Sequence, residues 1–335
     1  MTLNYRVQPS VDPEPDKAAP IDPDGGEFSL ADAVETRETI IADALHGQRI
    51  DKAVVALAPE FSRSHLQGLI EGGHVRVEGR PVSTSSRKVS AGQRLAVELI
   101  PTAESLAFRP EAMTLQVVFE DAYVMVVNKP AGLVVHPAAG HWSGTLLNGL
   151  LAHHTGAAAL PRAGIVHRLD KDTSGLMVVG KTLIAVTALV RAIAARTVHR
   201  QYLAVAHGRL AQRHLQIDAP VGRDPQSRVR MAVVASGKAA RTDVDVLART
   251  ADFSAVRCTL HTGRTHQIRV HLASRGHPLV GDLVYGGRAA LGMQRQALHA
   301  TRLAFTHPCT QASLSFELDP PADFAAAWRE VTASE

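Results

Sequence analysis

The stretch from residue 164 to residue 175 carries the side chains that are best suited to chemistry. It places one carboxylate, Asp170, close in sequence to His167, Arg168 and Lys171. Neighbouring positive charge favours the ionised form of a carboxylic acid, so Asp170 is suited to act as a permanently charged nucleophile or base. A second interpretation stays open, because aspartates before Thr-Ser-Gly are also common in turns that have no chemical role.

Two apolar runs, at 165–166 and 176–179, are predicted to be buried strands that hold this segment as a loop between them. Further along the chain, the patterns predict a hairpin over 115–128, helices over 144–154, 183–196 and 265–274, and strands over 198–207, 241–247, 255–261, 298–305 and 312–317. Mostly antiparallel strands with helices packed outside predict an α+β domain with a mixed sheet and flanking helices.

Composition limits the class of protein. The chain has 335 residues, of which 45% are hydrophobic, and it lacks the long uncharged apolar run of a membrane span, so we expect a soluble protein with no membrane partner. The N-terminus lacks a basic-then-apolar signal pattern, which predicts a cytoplasmic location. The two cysteines, Cys258 and Cys309, are expected to be free thiols.

Charge is distributed unevenly along the chain. Residues 1–46 are Pro-rich and hold 3 Lys/Arg against 10 Asp/Glu, which predicts a disordered acidic arm, because such a segment buries too little apolar surface to offset its ordering entropy. Residues 47–335 hold 33 Lys/Arg against 22 Asp/Glu. This basic balance suits a polyanionic partner, although basic surfaces also occur on proteins that bind no nucleic acid.

Residues 47–100 are predicted to form a small α/β module of two helices followed by alternating strands. The pattern resembles the S4-like RNA-binding domain. That resemblance implies phosphate contacts from Arg63, Arg76 and Arg80, and the alternative for each of them is a solvated surface side chain. Residues 101–112 are predicted to be a linker, and residues 113–332 a catalytic domain.

Five segments of the chain resemble motifs of the RluA-type RNA pseudouridine synthases, in the order in which that family has them. They are NKPAGL at 128–133, HRLDKDTSG at 167–175, RQY at 200–202, TGRTHQIR at 262–269 and HPLVGD at 277–282. The resemblance is strongest to the RluD branch and implies an isomerase that modifies uridines in helix 69 of large-subunit ribosomal RNA. Other branches modify other large-subunit uridines or a transfer RNA. Nothing in the sequence requires more than a monomer.

The resemblance assigns roles to five side chains. Asp170 is the essential carboxylate, and either it attacks the anomeric carbon or it removes a ribose proton. Arg264 is expected to pair with Asp170 and keep it charged. Tyr202 is expected to stack on the extruded uracil, and Ile268 to pack against the same ring, although both could be ordinary core residues. Arg168 is expected to enter the RNA stack where the base left.

The implied reaction involves no redox change, so neither a cofactor nor a metal is expected. His261, His266 and His271 are spaced by five, which spreads them around a helix and disfavours a metal site. Two other functional classes remain open at this point. One is a metal-dependent RNA hydrolase using Asp170 and Asp172, which the neighbouring cations disfavour, and the other is a noncatalytic RNA-binding factor in ribosome assembly.

Overall fold

The computed structural model of the chain describes residues 3–6, 35–59, 61–99, 107–138, 141–227 and 230–333. The chain divides into two compact units, Asp12–Leu106 and a larger unit that combines Met1–Val11 with Ala107–Glu335. Most of the predicted acidic arm and half of the predicted linker lie outside the described residues. Strand β1, Leu3–Arg6, is described and pairs within the larger unit.

The smaller unit is a four-stranded antiparallel sheet with two helices. Its elements are β2 Glu35–Ile40, α1 Ile50–Leu57, α2 Arg63–Glu71, β3 Val75–Val77, β4 Arg80–Val82 and β5 Arg94–Leu99, with the strand order β2-β5-β3-β4. Side chains from both helices and from β3, β4 and β5 share one core, which includes Ile50, Leu66, Val75 and Leu95. Ser62 caps α2 by accepting a hydrogen bond from the backbone N–H of His65, at 3.3 Å.

The smaller unit begins before the predicted boundary at residue 47. Strand β2 pairs with β5 over its whole length, from Glu35 opposite Leu99 to Ile40 opposite Arg94. Its sequence, ETRETI, contains the β-branched residues that favour strands, in contrast to the Pro-rich segment before it. Residues 35–46 therefore belong to the folded module and not to the arm.

The larger unit contains one long, mixed sheet, whose further strands are β6 Gln116–Glu120, β7 Val124–Lys129, β8 Ser174–Gly180, β9 His199–His207, β10 His214–Asp218, β13 Arg241–Arg249, β14 Phe253–Leu260, β15 Leu298–Thr306 and β16 Ser313–Glu317. Their order in the sheet is β10-β13-β14-β9-β15-β8-β7-β6, with β16 paired to β15 and β1 paired to β16. Strands β11 Val221–Arg223 and β12 Met231–Val233 form a separate hairpin. Neighbouring strands are antiparallel except β8 with β15 and β1 with β16. The predicted α+β class with a mainly antiparallel sheet is confirmed.

Helices cover both faces of this sheet. They are α3 Leu146–His153, α4 Leu183–Ala194, α5 Gln267–Ser274 and α6 Ala322–Thr332. Along β8, Met177 and Val179 pack in the core that contains α3, whereas Leu176 and Val178 pack in the core that contains α4. This alternation follows from the two-residue period of a strand and explains why β8 is buried throughout.

In the described ranges, none of the helices combines the length and the apolar character that a membrane crossing requires.

Candidate active site

Asp170 lies on the loop that immediately precedes β8. Its carbonyl oxygen accepts a hydrogen bond from the N–H of Thr173 at 3.1 Å, which closes a turn. Lys129, the last residue of β7, is buried, and its Nζ donates to three backbone carbonyls at 2.8 Å each, those of Pro130, Leu133 and Lys171. Burial lowers the pKa of Lys129 to about 7. Lys129 thus ties the Asp170 loop to the turn that follows β7.

Arg269 on α5 is the ion-pair partner of Asp170. Its Nη1 donates to Oδ2 of Asp170 at 3.0 Å, although the two residues are 99 positions apart. The other edge of the same guanidinium donates twice to the buried carboxylate of Asp282, from Nε at 2.7 Å and from Nη2 at 2.8 Å. Two parallel hydrogen bonds fix the plane of a guanidinium, so Asp282 aims Nη1 at Asp170.

Both carboxylates also keep Arg269 charged. Burial opposes the cation, but the hydrogen bond to Asp282 and the charges of Asp170 and Asp282 raise the pKa of Arg269 above its ordinary value. The ring of Tyr285 lies against the guanidinium, 4.9 Å from its central carbon, and adds a cation–π contact. Asp170 therefore faces a permanent positive charge in a fixed position.

Arg264 does not make the ion pair that the sequence analysis predicts for it. Its side chain is exposed, and its Nε donates to the carbonyl of Ala239 at 3.1 Å. The helix begins only at Gln267, so Arg264 lies in the turn before α5, whereas Arg269 lies on the buried side of the helix itself. The motif was identified correctly, but the arginine that pairs with Asp170 is Arg269.

The turn before α5 is held in place by Gln267. Its Oε1 accepts from the hydroxyl of Thr262 at 2.7 Å and from the N–H of Arg264 at 3.0 Å, and its Nε2 donates to the carbonyl of Arg241 at 3.0 Å. This network fixes the turn at the edge of the cleft that contains Asp170.

His266 lies beside Asp170. The hydroxyl of Tyr285 accepts from the N–H of Met231 at 3.0 Å and lies 2.7 Å from Nδ1 of His266. Burial lowers the pKa of His266, against the opposing effect of Asp170, which favours the neutral ring at neutral pH. The other ring nitrogen, Nε2, lies 3.8 Å from Oδ1 of Asp170.

Asp170, His266 and Arg269 line a cleft of about 310 Å³, and the structure brings the five predicted side chains of the larger unit to its walls. Tyr202 and Ile268 are only 5% and 3% exposed, and Arg168 is exposed. Burial raises the pKa of the Tyr202 hydroxyl, and Asp170 adds to the rise while Arg200 opposes it. Tyr202 therefore stays protonated at neutral pH.

The three arginines predicted to contact phosphates lie in the smaller unit. Arg63 is exposed at the start of α2, and Arg80 is exposed at the start of β4. Arg76 is also exposed, but its Nη2 lies 3.1 Å from the carboxylate of Glu98. A phosphate that binds Arg76 must therefore share this guanidinium with Glu98.

Sequence reasoning missed four side chains of the site: Arg269, Asp282, Tyr285 and His266. A signal for Arg269 was present, because it lies inside an apolar helical segment between Ile268 and Val270. An arginine buried there needs a carboxylate partner. The identity of that partner depends on the three-dimensional fold.

Comparison with known proteins agrees with this site. Residues 123–274 match the family model described as RNA pseudouridylate synthase, and residues 48–95 match the S4 domain. The ribosomal large subunit pseudouridine synthase D of Neisseria meningitidis serogroup B is 49% identical over 314 residues, which cover 90% of this chain and 83% of that protein. The protein of the same name from Nitrosomonas europaea is 46% identical over 312 residues, covering 91% and 90%.

A solved structure is similar as well. The human RNA pseudouridylate synthase domain containing 1 superposes with a TM-score of 0.50 and 27% identity, covering 66% of this chain and 86% of that one. The identity to the two bacterial proteins extends over nearly the whole chain, and it includes both the smaller unit and the Asp170 cleft. The chain therefore belongs to the RNA pseudouridylate synthase family and is a pseudouridine synthase, an isomerase, with an S4 domain before its catalytic unit.

Proposed function

We propose that this protein converts uridines of large-subunit ribosomal RNA to pseudouridine in the cytoplasm, and that its targets lie in helix 69. The observation that carries the proposal is the carboxylate of Asp170, held in a cleft by a guanidinium that Asp282 orients. The names of the bacterial relatives support the choice of large-subunit RNA. The S4 domain and the basic balance of residues 47–335 support a polyanionic partner.

The chemistry starts from an ionised Asp170. Arg269 bonds to Oδ2, so Oδ1 is the oxygen left to meet the sugar of the target uridine. From that position Oδ1 either attacks the anomeric carbon or removes a ribose proton, and both steps need the anionic form. In either case the bond from the anomeric carbon to nitrogen 1 of uracil breaks, and the bonding electrons leave with the base. The base then rotates and bonds to the sugar through carbon 5, which releases Asp170 and loses its proton to water. The ring of His266, with Nε2 3.8 Å from Oδ1, limits the room in which this oxygen can move.

The cleft determines which part of the RNA reaches Asp170. Asp170 lies inside the cleft, and a base stacked in a duplex cannot bring its sugar there, so the target uridine must leave its stack to react. In this proposal Tyr202 and Ile268 hold the uracil while it rotates, and Arg168 at the mouth fills the gap in the RNA. Placing a rotating base between two buried side chains keeps it from diffusing away before the new bond forms.

A metal-dependent hydrolase is the weaker interpretation of the same acid. The guanidinium of Arg269 bonds to Oδ2 of Asp170, so a divalent cation at Oδ1 would lie close to a fixed positive charge. Two positive charges at one carboxylate edge would repel each other.

The target is tested by mapping pseudouridine in unmodified large-subunit RNA after incubation with the protein in the presence of a chelator. We expect new pseudouridines in helix 69 with the natural protein and none with Asp170→Asn. Modification confined to other large-subunit uridines would overturn the helix 69 target. Modification of transfer RNA alone would overturn the choice of ribosomal RNA.

A further inference from the structure

Arg200 is a buried cation without an anionic partner in the described part of the chain. It lies on β9, is 6% exposed, and its Nε is buried without a hydrogen-bond acceptor. The ion pairs among the described residues include none to its guanidinium. Burying an unpaired charge costs folding free energy, so a cation retained in this state indicates a ligand that completes it.

The position of Arg200 relates it to the reacting base. It precedes Tyr202 by two residues on the same strand, so both side chains lie on one face of the sheet, and both line the cleft. A Cβ atom added to Gly263 would lie 2.8 Å from Nη1 of Arg200. The guanidinium therefore lies directly against the Gly263 turn, at the wall of the cleft.

The neighbours of Arg200 do not neutralise it. His167 lines the same cleft, and its Nε2 accepts from the N–H of Val178 at 3.0 Å. Burial, followed by the charge of Arg200, lowers the pKa of His167 to about 3, so the ring is neutral. Tyr202 is protonated, as described above. The full positive charge of Arg200 is thus available to a ligand.

We propose that Arg200 binds one of the two phosphodiester groups that flank the target uridine. The proposal rests on the proposed function, because it needs an RNA in the cleft. A phosphodiester carries the full negative charge that offsets a guanidinium and offers two oxygens to its planar donors, whereas a uracil carbonyl offers a neutral acceptor. Arg168, Arg196 and Arg264 also line the cleft but are exposed, and they suit less specific contacts.

The test makes each phosphate neutral in turn. A short RNA containing the target uridine is prepared with a methylphosphonate on its 5′ side, on its 3′ side or on neither, with 2′-fluoro groups before both linkages in every RNA to keep them stable. Affinities are measured for the natural protein, Arg200→Gln, Arg200→Lys and, as a control, Arg191→Gln, which alters an exposed arginine outside the cleft.

One methylphosphonate should weaken binding to the natural protein by about 10- to 100-fold, the usual range for a hydrogen bond between charged groups. Arg200→Gln should bind the unmodified RNA more weakly by a similar factor. The same methylphosphonate should not weaken the RNA binding of Arg200→Gln any further. Arg200→Lys should retain part of the affinity, and Arg191→Gln should behave like the natural protein. The melting temperature of RNA-free Arg200→Gln should be equal to or higher than that of the natural protein.

Two results would overturn the proposal: full sensitivity of Arg200→Gln to both methylphosphonates, or a melting temperature several degrees lower with unchanged RNA affinity, which would mean a structural role. An activity assay of the same protein preparations on natural ribosomal RNA separates this failure from failure of the proposed function. If the natural protein forms no pseudouridine in natural ribosomal RNA, the proposed function is wrong. If it does, but Arg200 shows no coupling to either phosphate, only the assignment of Arg200 is wrong.

Discussion

At the scale of single residues, the state of Asp170 depends on a chain of two ion pairs. Asp282 holds Arg269 by two hydrogen bonds, and Arg269 presents its remaining nitrogen to Asp170. A lysine cannot bond to both carboxylates in this geometry, because its single ammonium group lacks the planar fork. The positions of the charges matter here, and not only their sum.

Replacing Arg269 by lysine is therefore expected to lower kcat by about 100-fold, a typical cost of misplacing a reacting group by about 1 Å. KM for RNA should change little, because Arg269 is buried and bonds to protein carboxylates. The measurement is the rate of pseudouridine formation under saturating RNA. Arg264→Lys is the matched comparison and should have the smaller effect on kcat, since its Nε bonds only to a backbone carbonyl. The opposite order would support the assignment made from the sequence.

The site could be predicted from the sequence where chemistry and local spacing were sufficient. Asp170, Tyr202 and Ile268 do line one cleft, and their roles stay predictions. The partner of Asp170 was assigned wrongly, because Arg264 and Arg269 lie in the same motif and only the start of α5 decides which of them points inward.

At the scale of elements, the Asp170 loop depends on the close approach of β8 and β15. Gly175 has φ +116, and a Cβ atom there would lie 2.3 Å from the carbonyl oxygen of Ala300. These two strands pair in parallel at Gly175 and Ala300, five residues after Asp170. On its other side β8 pairs with β7, and β15 pairs with β9, so neither strand can move away without disturbing the sheet.

The Gly175→Ala variant is expected to lose at least about 2 kcal/mol of unfolding free energy, because it combines backbone strain with a clash against backbone atoms. Urea unfolding measures this loss. Gly132→Ala is the control: its φ is +88, but the space around it is open, so only the backbone cost of about 1–2 kcal/mol applies. Equal losses in the two variants would show that the contact with Ala300 is unimportant.

Most elements of the larger unit could be predicted from apolar periodicity, and α3, α4 and α5 begin within two residues of their predicted starts. The hairpin of β11 and β12 could not, because three-residue strands give no period. Helix α6 was also missed. Its buried face includes Phe324, Ala327 and Val331, and an alanine-rich stripe is a weak hydrophobic signal.

At the scale of the whole molecule, buried neutral histidines make folding sensitive to acid. His299 bonds to the hydroxyl of Ser174 at 3.0 Å and to the carbonyl of Leu318 at 3.2 Å, and so connects β15 to β8. Burial lowers the pKa of His299 to about 4 and that of His167 to about 3, from an ordinary value of 6.5. At a pH between these lowered values and 6.5, the two histidines bind protons in the unfolded chain but not in the folded chain.

The unfolding free energy should therefore fall as the pH drops from about 6.5 to about 4, by up to about 1.4 kcal/mol per pH unit for each histidine. Urea unfolding at a series of pH values measures the slope. His299→Gln keeps a polar side chain but does not titrate, so it should reduce the slope in this window. An unchanged slope in that variant would show that His299 does not contribute to the pH dependence of the unfolding free energy.

The organisation of the chain into units was predictable in outline from charge and composition. The acidic, Pro-rich segment and the basic remainder separate clearly in the sequence. The S4 family match begins at residue 48, next to the predicted boundary at residue 47, but the sheet of the smaller unit begins 12 residues before that boundary with β2. This strand could not be predicted, because its composition is acidic like that of the arm and only its pairing with β5 fixes it. Long-range pairing of this kind leaves little trace in local patterns.

The central claim is that the charged carboxylate of Asp170 reacts with a uridine in RNA, and tritium release tests it most directly. Forming pseudouridine replaces the hydrogen on carbon 5 of uracil, so RNA labelled with tritium there loses its label to water. With a chelator present, the natural protein should release tritium, and Asp170→Asn should release none while binding the same RNA with similar affinity. Release by Asp170→Asn at the natural rate, or no release by the natural protein from any ribosomal RNA, would contradict the claim.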